Sequence, residues 1–223
     1  RASARQRFGT AATLITGDFL FSRAFQICGR FDETLITWAA EACVALTEGE
    51  IMQGRFRHNP AVRFADYVEI ITRKTASLFE VGARTAAALA GASETVVEAM
   101  ARCGRHVGLT FQMVDDLLDV TASEATLGKP VGLDVREGNP SLPIVLGIEQ
   151  DDELRRLFAR TDLSEGEVSA VLGRLRRSEA IGRGYAIAAD HATAARKALL
   201  VLPDSRYRAY LLGLVDQLVE RPS

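Results

Sequence analysis

From Gly108 to Val120 the chain reads Gly-Leu-Thr-Phe-Gln-Met-Val-Asp-Asp-Leu-Leu-Asp-Val, so Asp115, Asp116 and Asp119 interrupt a segment that is otherwise largely apolar. Asp115 and Asp119 stand four apart, and Asp116 and Asp119 three apart. Those spacings put the carboxylates on neighbouring turns of one helix face. Like charges so placed repel, and burial makes each of them more costly. A hard divalent cation removes both penalties, because carboxylate oxygens are its preferred ligands. Mg²⁺ in particular keeps several waters and is held by one or two carboxylates together with substrate phosphates. The segment therefore predicts an interior helix whose acids face a cavity, with Mg²⁺ bridging them to a diphosphate. The alternative, a solvated helix face, is opposed by Phe111, Met113, Val114, Leu117, Leu118 and Val120, which leave little room for a polar side.

A cation follows at short range. In Leu127-Gly128-Lys129-Pro130-Val131-Gly132-Leu133-Asp134, Lys129 sits in a glycine-flanked loop ten residues beyond Asp119. Glycines let a backbone approach a ligand closely, and lysine binds phosphate as a point charge. Read alone, Gly-Lys-Pro is an ordinary surface turn. Its position directly after the acids is what makes it informative.

The remaining sequence is helical in period almost throughout, with no strand-like alternation between Asn-Gly or Asp-Gly turns. Helices are expected over 11–28, ending at Gly29; from Asp32 as N-cap; over 65–90, ending at Gly91; and from Ser93 to about Val120. A Gly- and Pro-rich break runs from Thr121 to Pro143. Helices return at Ser164, which forms a capping-box pattern with Glu167, then over 181–200 and after Pro203. Several reach about 20 residues, roughly 30 Å each, and long helices with apolar faces and short links make a bundle. The expected fold is all-α, one large bundle around a central cavity, with residues 1–223 as one domain.

Composition narrows the function classes. At 48% apolar and 25% charged residues with a net charge of -2, nothing draws the chain toward nucleic acid. No 18-residue apolar run predicts a membrane span, and the start shows no signal-peptide pattern. Cys28, Cys43 and Cys103 are odd in number and widely spaced in apolar stretches, which reads as buried thiols in a reducing, cytoplasmic compartment. His58, His106 and His191 are scattered without the spacing of a zinc site. Trp38 reads as a core or interface residue, and Glu48, Glu50 and Gln53 as a polar helix end.

Four ordered motifs resemble the trans-polyprenyl diphosphate synthase family. Phe111 to Asp119 looks like its second aspartate-rich motif. Gly128 to Gly138 with Ser141-Leu142-Pro143 looks like the loop that follows that motif. Gly17-Asp18-Phe19-Leu20-Phe21-Ser22-Arg23-Ala24 matches its Gly-Asp helix, and Lys74-Thr75 its Lys-Thr pair. The resemblance implies the isoprenoid synthase fold and a prenyltransferase that condenses isopentenyl diphosphate with an allylic diphosphate. It implies that Asp115 holds Mg²⁺, with Asp116 and Asp119 completing the site directly or through water. Lys74 and Lys129 are then expected to bind the allylic diphosphate, and Gln112 and Thr75 to present oxygens to the developing carbocation. A homodimer through the apolar segment Thr10 to Ile27, and peripheral membrane contact through the product, are further expectations of the resemblance.

Two departures stand out. Asn139 occupies the place where many relatives have a third diphosphate-binding lysine. The family's first aspartate-rich motif is absent, and Arg1 to Gly9 looks like the segment just after it. A chain lacking that motif is expected to be a fragment, nearly inactive alone. The second candidate class is a non-catalytic all-α partner subunit of a prenyl diphosphate synthase, against which the intact acidic motif counts.

Overall fold

The computed structural model describes residues 3–122 and 131–220, and its described residues contain helices and no strand. The chain forms two compact units, Arg1–Glu41 and Ala42–Ser223.

The first unit contains α1, Ala4–Cys28, and the beginning of α2, Glu33–Phe56. α1 starts before the expected position because Ser3 and Gln6 cap each other reciprocally. It kinks at Gly9 (φ 81°), ends at Gly29 as expected, and buries none of its residues. Asp32 caps α2 as predicted, its carboxylate accepting from the Leu35 N–H at 3.1 Å.

In the second unit the expected helix over 65–90 is interrupted. α3, Phe64–Ile71, passes into a π-helical stretch, Thr72–Ala76, and then into α4, Ser77–Leu89. Such one-turn π segments are concentrated at functional sites, and this one carries Lys74 and Thr75. Apolar periodicity alone carries no signal for it. The next helix, α5 (Glu94–Thr121), is the longest of the described elements and is buried on nearly all sides from Gly108 to Val120, while Arg102 and Arg105 nearer its start are exposed. That is the environment its largely apolar C-terminal half requires.

Two short helices lie inside the expected break: α6, Leu133–Glu137, and α7, Leu142–Ile148. Every residue of α7 is buried, so tertiary packing holds a segment too short to be helical alone. α8 (Asp152–Phe158) follows, capped by Asp151. α9 (Glu165–Arg177) begins with the predicted Ser164–Glu167 capping box. α10 (Ala180–Leu199) and α11 (Arg206–Val219) complete the unit.

The core gathers Tyr67, Met113, Leu117, Val120, Leu142 and Leu146 around the C-terminal half of α5. A second cluster at its other half joins Cys103 to Ala192, Ala195, Leu199 and Val215. Of the three cysteines only Cys103 is buried; Cys28 and Cys43 are half-buried, and all three are free thiols. The expectation of uniform burial fails because Cys28 and Cys43 lie on helices with exposed apolar faces. His106 on α5 and His191 on α10 bring their Nδ1 atoms within 3.0 Å, a contact that a separation of 85 positions conceals in sequence. Among the described residues no helix is long and apolar enough to cross a membrane.

Candidate active site

A cavity of about 310 Å³ opens within the second unit, beside the C-terminal half of α5. Asp115, Asp116, Asp119 and Gln112 line it from α5, Lys74 from the π segment, and Gln53 from α2. Tyr67, Ile70 and Ile71 of α3 and the stretch containing Leu133, Asp134, Asn139, Pro140 and Ser141 close it. Two backbone approaches make this possible. A Cβ on Gly49 would lie 2.5 Å from the Lys74 backbone nitrogen, and one on Gly108 would lie 2.6 Å from the Ala76 Cα. α2 and α5 can therefore close on the π segment only where they carry glycine.

The three aspartates have different surroundings. Asp116 is buried and engaged on both oxygens. Its Oδ1 accepts from Gln112 Nε2 at 2.8 Å, and its Oδ2 from Tyr67 Oη at 2.8 Å and from the Leu142 N–H at 3.1 Å. Asp119 is also buried and turns back to the chain. Its oxygens accept from the Leu133 N–H at 3.3 Å and the Asp134 N–H at 3.1 Å, which caps α6 from outside. Asp115 is only half-buried, and no described residue donates a hydrogen bond to it. It is the carboxylate of the motif with oxygens turned to the cavity and no internal partner among the described residues.

Electrostatics sharpen this picture. Burial, followed by the Asp134 carboxylate nearby, pushes Asp116 up to about 7, against hydrogen bonds from Gln112, Leu142 and Tyr67 that pull it down. Burial, then Asp116, holds the Tyr67 phenol well above its usual range, so it is a donor. Four carboxylates around one cavity form a field that a cation would relieve.

Lys74 donates from Nζ to Gln53 Oε1 at 2.6 Å and pairs with Glu50 at 3.2 Å. Arg73 pairs with Glu48 and Glu69. The polar end of α2 is therefore the seat of this cation pair, not a plain solvated face. Thr75 Oγ1 donates to Gln112 Oε1 at 2.8 Å. Asn139 is buried, donating from Nδ2 to Asp134 and Glu137 at 3.1 Å and accepting from Arg57 Nε at 3.0 Å. Lys129 lies outside the described residues.

Thus Lys74, Thr75, Gln112, Asp115, Asp116 and Asp119, drawn from separate elements, meet at one cavity or touch a residue that lines it. Sequence reasoning missed Gln53, Tyr67 and Asp134 as lining residues. Asp134 stood within the quoted loop motif and could have been chosen. Tyr67 carried no signal beyond an aromatic on an apolar helix face.

Oxygen donors suit a hard ion, and no three His, Cys, Asp or Glu side chains among the described residues are grouped to hold one unaided. An oxygen-only donor set fits Mg²⁺, which takes few protein ligands and completes its shell with phosphate and water.

An acid-lined cavity set in an all-α frame is the arrangement expected of an isoprenoid synthase. The polyprenyl synthetase family pattern matches residues 1–175. An octaprenyl diphosphate synthase from Haemophilus influenzae is 34% identical over 99% of this chain and 69% of its own length. A polyprenyl synthase from Caulobacter crescentus superposes with a TM-score of 0.93 at 33% identity, covering all of this chain and 70% of that one. The heptaprenyl diphosphate synthase of Staphylococcus aureus superposes with a TM-score of 0.95 at 25% identity, covering all of this chain and 71% of that one. The chain belongs to the polyprenyl synthetase family and is a prenyltransferase.

Proposed function

We propose that the cavity beside α5 binds an allylic diphosphate through Mg²⁺ and ionises it for condensation with isopentenyl diphosphate, giving a longer polyprenyl diphosphate. The observation that carries this reading is the division of labour among the acids: Asp115 faces the cavity without a described partner, while Asp116 and Asp119 hold the surrounding elements in place. In this reading Asp115 is a direct ligand, and Asp116 and Asp119 act directly or through water. The Caulobacter crescentus relative, solved with calcium and isoprenyl diphosphate, supports an ion and a diphosphate at such a site.

When bound, the ion neutralises charge on the departing diphosphate. Lys74 adds fixed positive charge where that anion develops, and Lys129 is read as a second cation for it. The allylic C–O bond breaks with its electron pair leaving on the diphosphate. Gln112 and Thr75 turn polar atoms toward the resulting carbocation. The double bond of isopentenyl diphosphate attacks the cation, forming the new C–C bond, and a proton is lost to restore a double bond. Residues 1–223 are read as one synthase domain. A homodimer is supported by α1, whose Leu14, Ile15, Phe19, Leu20 and Phe21 are exposed and need cover.

The test is chain elongation by the full-length protein from an allylic primer. Chelation is expected to reduce it to background, and added Mg²⁺ to restore it. Elongation that survives chelation would refute the reading.

A further inference from the structure

A chain of hydrogen bonds reaches the cavity from a residue no sequence motif marks. Tyr67 is 1% exposed and donates to Asp116 Oδ2 at 2.8 Å. The other oxygen of Asp116 accepts from Gln112 Nε2 at 2.8 Å. Gln112 Oε1 in turn accepts from Thr75 Oγ1 at 2.8 Å. The direction of every link follows from chemistry. The Gln112 amide turns its NH₂ group to Asp116 Oδ1 and its carbonyl to Thr75. Thr75 must then donate, and its oxygen is left with lone pairs alone for its surroundings.

We propose that Tyr67 is a positioning residue that, by fixing the Asp116 carboxylate, sets the orientation of the Gln112 amide and the Thr75 hydroxyl, so that Thr75 turns an electron-rich oxygen to the carbon that loses the diphosphate. The inference rests on the prenyltransferase reading of this cavity. It adds a task for a buried phenol and gives Asp116 a task distinct from that of Asp115. Asp116 holds the amide dipole, and the Leu142 N–H on its other side ties that dipole to α7. The Thr75 end is held independently, because Thr75 lies in the π segment against which α2 and α5 are tightly packed. A hydroxyl free to rotate would as readily present its proton, the wrong sign for a forming cation. A chain of donors fixed in one direction costs no reorganisation when charge develops.

The experiment is steady-state and single-turnover kinetics of full-length protein carrying Tyr67→Phe, Thr75→Val, Thr75→Ser and the double variant Tyr67→Phe/Thr75→Val. Tyr67→Phe keeps the ring that fills the core and removes only the donor. It is expected to lower kcat roughly 10- to 100-fold, the usual effect of a supporting hydrogen-bond partner. The KM values for both diphosphates should stay within about threefold, because ground-state binding is not altered. Hydrolysis of the allylic diphosphate without isopentenyl diphosphate, which reads ionisation alone, should fall in parallel. Thr75→Val should lose a similar factor and Thr75→Ser should restore most of it. In the double variant the losses should not multiply, since both break one chain. Multiplying losses, an unchanged kcat in Tyr67→Phe, or a defect confined to KM would each overturn the inference. If Tyr67→Phe does not fold, the two Thr75 variants decide: full kcat in Thr75→Val overturns it. Failure of the wild-type protein to elongate any allylic primer would instead refute the functional reading beneath it.

Discussion

Two long helices of this chain, α1 with 25 residues and α5 with 28, are both rich in apolar side chains and meet opposite fates. Met113, Leu117 and Val120 of α5 are at 0% exposure, whereas Ile15 of α1 is 68% and Phe19 62% exposed. In α5 the apolar surround is completed within the chain, and the acids it carries are thereby held at a cavity in fixed positions. In α1 the same kind of side chain stays exposed, which favours the dimer proposed above. Apolar content alone does not separate an interior helix from an exposed one. The positions of the polar residues do. α5 places Asp115, Asp116 and Asp119 on adjoining turns beside a cavity, while α1 spreads Asp18, Ser22 and Arg23 along its length.

Breaking α5 should have the larger energetic effect. Leu117→Ala removes a fully buried side chain and is expected to cost about 2–5 kcal/mol in denaturant unfolding. Phe19→Ala on α1 should change the unfolding of the dissociated monomer by no more than about 0.5 kcal/mol. Equal losses at the two sites would erase the contrast. The double variant Phe19→Asp/Phe25→Asp should leave helicity intact by circular dichroism and convert a dimer to a monomer in sedimentation velocity; a dimer that persists would assign α1 another role.

A smaller effect is expected at the His106–His191 contact between α5 and α10. Burial, then His191 and Arg105, lowers His106; burial lowers His191, with Arg105 acting the same way and Asp190 opposing. Both folded values lie below the unfolded 6.5. The unfolded chain therefore takes up protons first as pH falls. Stability contributed by the neutral pair is present above 6.5 and lost as pH falls through the lowered folded values. Unfolding midpoints at about pH 7.5 and about pH 5.5 should differ less in His106→Gln than in the parent. An unaltered slope would show that the pair is not the sensor.

The smallest effect concerns Asn139. A lysine there gains a charge beside Asp134 and Glu137 but loses the acceptor for Arg57. These opposing changes should leave the KM for allylic diphosphate within about fivefold, or roughly 1 kcal/mol. A larger improvement would mean that the missing cation limits binding.

The helices were legible because period and caps are local. Asp32, Gly29, Gly91 and the Ser164–Glu167 box mark their ends in the structure as they do in sequence. The π stretch at Thr72–Ala76 was not legible, because apolar periodicity does not record a widening by one residue, and the close approach of Gly49 and Gly108 to it joins segments distant in sequence. α6 and α7 escaped for a related reason: one is capped from a distance by Asp119 and the other is held by burial. At the site, residues that carry charge in an apolar context, such as Asp115 and Asp116, announced themselves. Tyr67 and Gln53 did not, since their place at the cavity depends on which helices meet there.

The most direct test of the account is radiolabelled isopentenyl diphosphate incorporation from an allylic primer, comparing full-length protein with its Asp115→Ala variant under saturating Mg²⁺. Asp115 has no described hydrogen-bond partner to lose, so the variant should fold normally. Its turnover should drop by at least roughly 10²–10³, the effect of losing one principal electrostatic contact to the developing charge. Turnover equal to that of the parent would contradict the assignment of this cavity as the diphosphate site.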